Sequence, residues 1–240
     1  MQDINITIVC DNNPYKEGLE TGWGFSCLVG GREKSILFDT GPGGSLLVNM
    51  ENLAIEPQSI DTVVLSHIHP DHTGGLEGFL EKNPDVAVYL LKSFPERFND
   101  NVRAQGAKVI EVGQPIEICE NVWSTGQHGK WIKEQSLVIK TDKGLVVISG
   151  CSHPGIVNIV NAAKDLVKDD ILLVMGGFHL ECAGKGKIEK VISVFRHLQV
   201  RYVGLCHGSG DKAMSLFEEY FVKNYINLGA GKMITIADLH

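Results

Sequence analysis

The sequence predicts an α/β protein, and three observations carry that reading. Four apolar runs, beginning at Thr62, Leu145, Ile171 and Tyr202, each lead into a histidine-bearing turn and then a helical stretch. Unbroken runs of this kind suit strands covered on both faces. Hydrophobic residues make up 43% of the 240, enough to bury a sizeable core and to exclude global disorder. No low-complexity segment or Pro/Ser-rich linker interrupts the chain, so residues 1–240 are read as a single domain.

In chain order, residues 4–10, 25–29 and 35–39 are β-branched or aromatic, bounded by Gly or Asn, and are read as strands. The run Thr62-Val-Val-Leu-Ser66 is a strand that ends at His67-Ile-His69-Pro-Asp71-His72, followed by Thr-Gly-Gly and a helix. Residues 86–139 alternate short strands with one helix near 95–105. Leu145-Val-Val-Ile-Ser149 leads into Gly-Cys151-Ser-His153-Pro-Gly and the helix 156–167. Ile171-Leu-Leu-Val-Met175 leads into Gly-Gly-Phe-His179, a Gly-rich loop and the helix 187–198. Tyr202-Val-Gly-Leu-Cys206 leads into His207-Gly-Ser-Gly-Asp and the helix 212–225. Sites in such units form where strand C-terminal ends meet. Six of the nine histidines lie in these four turns, which places them at one edge of the sheet.

Several classes are disfavoured. The net charge is −7 and no long Lys/Arg run offsets it, so no nucleic-acid footprint is visible. No apolar run has the length of a membrane span. The start, Met-Gln-Asp-Ile-Asn, lacks the basic region and apolar core of a secretory signal, and the six cysteines show no C-x-x-C pair. A cytoplasmic protein with free thiols is the expectation, acting on a small molecule rather than on nucleic acid or a membrane.

His67 and His69 are two apart, so on an extended segment both imidazoles reach one ion. Asp71 and His72 follow where the chain turns into a helix and can serve a second ion; for Asp71 alone a helix N-cap is the competing role. Nitrogen and carboxylate donors without thiolate pairs suit an open site for zinc, with iron or manganese as alternatives. Two adjacent ions generate a hydroxide nucleophile near neutral pH.

These residues also carry a resemblance. Ser66-His67-Ile-His69-Pro-Asp71-His72-Thr-Gly-Gly-Leu resembles the H-x-H-x-D-H signature of the metallo-β-lactamase superfamily, and Leu37-Phe-Asp39-Thr-Gly-Pro-Gly resembles its first motif. Gly150-Cys151-Ser-His153-Pro-Gly, Gly176-Gly-Phe-His179-Leu and Cys206-His207-Gly-Ser-Gly look like a narrower branch, the dihydropterin ribofuranosyl-aminobenzene-phosphate synthase-like proteins. The resemblance implies a four-layer αββα sandwich with two metal ions at one edge. It implies His67, His69 and a third histidine at the first ion, and Asp71, His72 and His207 at the second, with Asp39 orienting the site. His153 is the preferred third ligand, because it precedes Pro154, a residue suited to open a helix whose positive end keeps an imidazole neutral. His128, in a polar loop 23 residues before Cys151, is the competitor. Cys151 is either a ligand or a buried packing residue. His179 is expected to face the substrate and share the catalytic role with Asp71, or to act as a further ligand; His197 is expected to be solvated. Gly184-Lys185-Gly-Lys187 reads as a flexible basic loop, and Trp23 either stacks on a ring or plugs the core edge.

The function implied is a dinuclear metal-dependent hydrolase that attacks a small, phosphate-bearing or pterin-like molecule through a metal-bridged hydroxide. Two alternatives stay open: a diiron oxidoreductase on the same fold, and a non-catalytic metal-dependent metabolite-binding protein.

Overall fold

Alternating burial builds the first strand. In Asn5–Cys10 (β1), Ile6 and Ile8 are fully buried while Asn5 and Thr7 stand half-buried, the period of two expected of a pleated segment. The computed structural model describes residues 4–31 and 33–240. Among them the chain forms two compact units, one comprising residues up to 113 with 229–240, the other residues 114–228.

In the first unit β1 pairs antiparallel with Ser26–Gly30 (β2), which pairs antiparallel with Ile36–Phe38 (β3). The ladder then turns parallel through Thr62–Val64 (β4), Ala87–Leu91 (β5) and Lys108–Val112 (β6), with Leu37 opposite Val63 and Val63 opposite Val88. Parallel neighbours need crossovers. These are Ser45–Asn52 (α1), then Pro70–Thr73 (α2) with Leu76–Lys82 (α3), then Glu96–Ala104 (α4). β3 and β4 are buried throughout, the polar Thr62 at the start of β4 included.

The second unit opens with an antiparallel meander: Ile116–Cys119 (β7), Val122–Ser124 (β8), Leu137–Thr141 (β9) and Gly144–Ser149 (β10). Ile171–Gly176 (β11) and Tyr202–Leu205 (β12) add in parallel after the helices Ile156–Val167 (α5) and Lys185–His197 (α6). Asp211–Phe221 (α7) follows β12. β10 and β11 are buried at every residue. Phe178, Phe195 and Phe217 meet edge to face at 5.7–5.8 Å in the core of this unit. Full burial of each contributes about 1.5–3 kcal/mol. Phe178 comes from the turn after β11, so the same contacts that fill the core pin that turn. The last strand, Met233–Thr235 (β13), returns to the first unit and pairs with β1.

The four strands that end in histidine turns do not share one sheet. β4 lies inside the seven-stranded sheet, while β10, β11 and β12 are neighbours in the six-stranded one. Apolar periodicity reports that a strand is covered on both faces and carries no information about which sheet it joins. Residues 185–187 are the first turn of α6, not a loop; Ile188, Val191, Ile192 and Phe195 bury its inner face and draw the helix back to Lys185. His197 is exposed near its end. α7 stops at Phe221, because Val222 adopts φ 49° and a 3₁₀ turn follows. No described helix is long and apolar enough to cross a membrane.

Candidate functional site

The first unit gathers five of the residues singled out by the sequence. Asp39 follows β3 with φ 58°, a left-handed turn that Asp tolerates better than most residues. Its N–H donates to Val64 O at 2.9 Å, extending the β3–β4 ladder and holding it beside Ser66. The carboxylate is fully buried. Oδ1 accepts the Ser66 N–H at 2.6 Å, and Oδ2 accepts Ser66 Oγ and His72 Nδ1, both at 2.7 Å.

Those contacts settle tautomers. A carboxylate only accepts, so His72 Nδ1 carries its proton and Nε2 keeps a lone pair. That lone pair stands 3.6 Å from Asp71 Oδ2. Ser66 Oγ gives its proton to Asp39 and lies 2.9 Å from His67 Nδ1, which therefore donates. His67 Nε2 is left as an acceptor, 3.1 Å from His69 Nδ1. His69 Nδ1 then donates to His67 Nε2, while His72 Nε2 and Asp71 Oδ2 bring two electron-rich atoms together, an arrangement that suits a cation. Outer partners that fix ring orientation in this way are how proteins prepare histidines for metals.

The backbone clamps the motif. Thr40 donates to His72 O from its N–H at 2.7 Å and from Oγ1 at 3.0 Å, and Gly74 N–H donates to Gly41 O at 3.1 Å. Gly75 permits this approach, since a side chain there would collide with Thr40 O. His67 and His69 lie in the loop after β4 rather than on an extended strand tail, and His69, not Asp71, occupies the N-cap of α2. Asp71 sits in the first turn, with its side chain 18% exposed.

The second unit holds the remaining candidates. Cys151 and His207 are buried and offer ligand atoms within 4.8 Å of each other. Gly177 lies between their backbones; a Cβ on it would meet Gly150 O, His207 O at 2.6 Å and Cys151 Cα at 3.2 Å. The rings of His153 and His179 are 4.6 Å apart between centroids. His179 is exposed and holds φ 52°. Pro154 does not open a helix: α5 starts at Ile156 with Gly155 as N-cap at φ 92°. The helix-end argument for His153 therefore fails.

What holds that loop is a residue the sequence reading missed. Glu134 is fully buried. Its Oε1 accepts the N–H groups of Cys151 at 2.9 Å and Ser152 at 2.8 Å and the Ser149 hydroxyl at 3.1 Å, while Oε2 accepts the His153 N–H at 2.8 Å. One carboxylate thus sets three consecutive amides. His128 pairs its backbone with Glu134, and its Nε2 donates to Thr125 O at 2.9 Å, leaving only Nδ1 as an acceptor. Trp23 is 53% exposed, so it plugs no core edge.

Residues 24–166 match the family described as the metallo-beta-lactamase superfamily. The 7,8-dihydropterin-6-methyl-4-(beta-D-ribofuranosyl)-aminobenzene-5'-phosphate synthase of Methanocaldococcus jannaschii is 29% identical over 95% of this chain and 95% of its own length. A crystal structure of Tm1679, described as a metal-dependent hydrolase of the beta-lactamase superfamily, is 30% identical with a TM-score of 0.81, covering 96% of this chain and 98% of that one. The metallo-beta-lactamase fold protein YhfI from Bacillus subtilis has a TM-score of 0.75 at 14% identity, covering 98% and 100%, a likeness of fold alone.

Proposed function

The chain belongs to the metallo-β-lactamase superfamily, and from that premise we propose that it is a dinuclear metal-dependent hydrolase of a small, phosphate-bearing or pterin-like molecule. The observation that carries the reading is the Asp39 network, which leaves His72 Nε2 unprotonated against the Asp71 carboxylate. The donors fit borderline divalent ions: imidazole and carboxylate, with one thiol in reach of His207. His67, His69 and His153 would hold one ion; Asp71, His72 and His207 the other, with Cys151 as a further donor. Zinc suits this set best, and iron or manganese are alternatives. When bound, such ions supply a water of pKa about 7 and stabilise developing negative charge.

The chain's own residues do the rest. Asp39 keeps both histidine protons on the Nδ1 side. Asp71, partly exposed beside His72, serves as ligand and as proton acceptor. His179, exposed beside His153, contacts the substrate. The pterin and phosphate in the name of the M. jannaschii relative support the substrate class, and the description of Tm1679 supports hydrolysis.

The test is a screen of metal-loaded protein against phosphodiesters, lactones and thioesters, with Asp71→Asn beside the wild type. The variant keeps the shape and removes a charge and a proton acceptor. Turnover should fall by about a hundredfold or more, the scale of a lost acid–base group. If Asp71→Asn retained both ions and near-full turnover, Asp71 would lose both roles; if the metal-loaded wild type turned over none of these substrates, the hydrolytic reading would give way to a metal-dependent binding protein.

A further inference from the structure

The segment between His128 and Glu134 has no part in the proposed chemistry, yet it is built with care. The two ends pair as an antiparallel bridge: His128 N–H donates to Glu134 O at 3.0 Å, and Glu134 N–H donates to His128 O at 2.9 Å. Glu134 is itself locked in place by its buried carboxylate, so the base of the loop is rigid. Lys133 Nζ donates to Gly129 O at 2.6 Å and closes the loop on itself. Gly129 takes φ 97°, where a side chain would collide with Ile132 O. The tip projects Lys130 and Trp131 into solvent.

Trp131 is 97% exposed. An indole so fully in water, on a loop held from both ends, is far outside the usual placement of the residue. Among the described residues Trp131 has no ring partner and Lys130 no carboxylate partner. The loop walls a cavity of about 620 Å³ with His128, Lys130, Trp131, Ile132, His153 and Asn158. That is the size of a small-molecule site. No acidic residue lines it, in a chain of net charge −7. A flat apolar face and an ammonium beside it, in a cavity with no carboxylate on its wall, select a ligand that is planar and anionic.

We propose that this cavity is a substrate subsite for a planar conjugated ring carrying a carboxylate or phosphate, with Trp131 stacking on the ring and Lys130 pairing with the anion. The inference rests on the proposed function in one respect: the cavity shares His153 with the ligand set assigned above. It differs in that binding is tested without turnover.

The probes are pterin-6-carboxylate and the uncharged parent pterin, titrated against metal-loaded full-length protein by fluorescence anisotropy of the pterin. Trp131→Ala should weaken both probes at least tenfold, and Trp131→Phe should restore most of the loss. Lys130→Ala should weaken only the carboxylate probe, about fivefold or more. Metal content is measured on each variant in parallel. Two ions in Trp131→Ala with weakened probe binding supports the subsite. Binding within twofold of wild type in Trp131→Ala overturns it and leaves the metal assignment standing. Failure of the wild type to bind metal defeats the proposed function, while the subsite is still judged by the probes. A change of oligomeric state in Trp131→Ala with unchanged probe binding also overturns the subsite, because Trp131 would then face another copy of the chain.

Discussion

A carboxylate accepts hydrogen bonds and cannot donate them, and at Asp39 that asymmetry sets the protonation of His72 directly and of His67 through Ser66. Asp39→Asn tests it. The amide oxygen would take the Ser66 N–H, and the amide nitrogen would face Ser66 Oγ and His72 Nδ1. His72 would then move its proton to Nε2 and lose the lone pair aimed past Asp71. Zinc titration should show one ion weakened by about 10–100-fold, while the left-handed turn survives because Asn tolerates it. Unchanged affinity for both ions would remove Asp39 from its positioning role. Cys10 shows another consequence of burial. Desolvation, opposed by the Ser45 hydroxyl, pushes its thiol from the ordinary 9.0 up to about 12. The folded state therefore holds a proton that the unfolded chain releases above pH 9. The stabilisation is complete below that pH and is lost as pH rises through 12, with a slope on the order of 1 kcal/mol per pH unit. Urea unfolding of wild type and Cys10→Ala should show a gap that narrows between pH 8 and pH 11; a constant gap would contradict the sign.

At the scale of elements, the turns that carry the candidate ligands are held by groups behind them. Glu134 fixes three amides from seventeen to nineteen residues away in the chain. In Glu134→Gln the oxygen can stay with Cys151 and Ser152, which sets the amide nitrogen against the His153 N–H. One buried donor loses its acceptor, at a cost of about 1–3 kcal/mol, and the ion assigned to His153 should be released at lower chelator concentration than the other. A thermal shift with no change in metal release would make Glu134 a folding residue only. Glu134 left no mark in the sequence reading. Its partners are backbone N–H groups, and an isolated Glu in a polar stretch has no period to betray it. The helix over 156–167 and the buried runs of β10 and β11 were legible, because continuous apolar composition and amphipathic spacing report burial directly. The start of α6 is not, because Gly184 and Gly186 read as loop residues while Ile188, Val191, Ile192 and Phe195 bury the face that draws the helix back to Lys185.

At the scale of the molecule, the H-x-H-x-D-H run and Asp39 named the fold family from sequence, and the match over residues 24–166 shows it. Which strand enters which sheet was not legible, since β4 and β10–β12 share one composition and differ only in long-range pairing. The proposed ligands come from stretches as far apart as His67 and His207, so the account stands or falls on metal content. The direct measurement is elemental analysis of the full chain after loading with excess zinc and desalting, on wild type, His153→Ala and His128→Ala. The account predicts two ions per chain in the wild type, a loss of one ion in His153→Ala and two ions in His128→Ala. A wild type that never exceeds one ion, or a His128→Ala that loses an ion while His153→Ala keeps both, would contradict it.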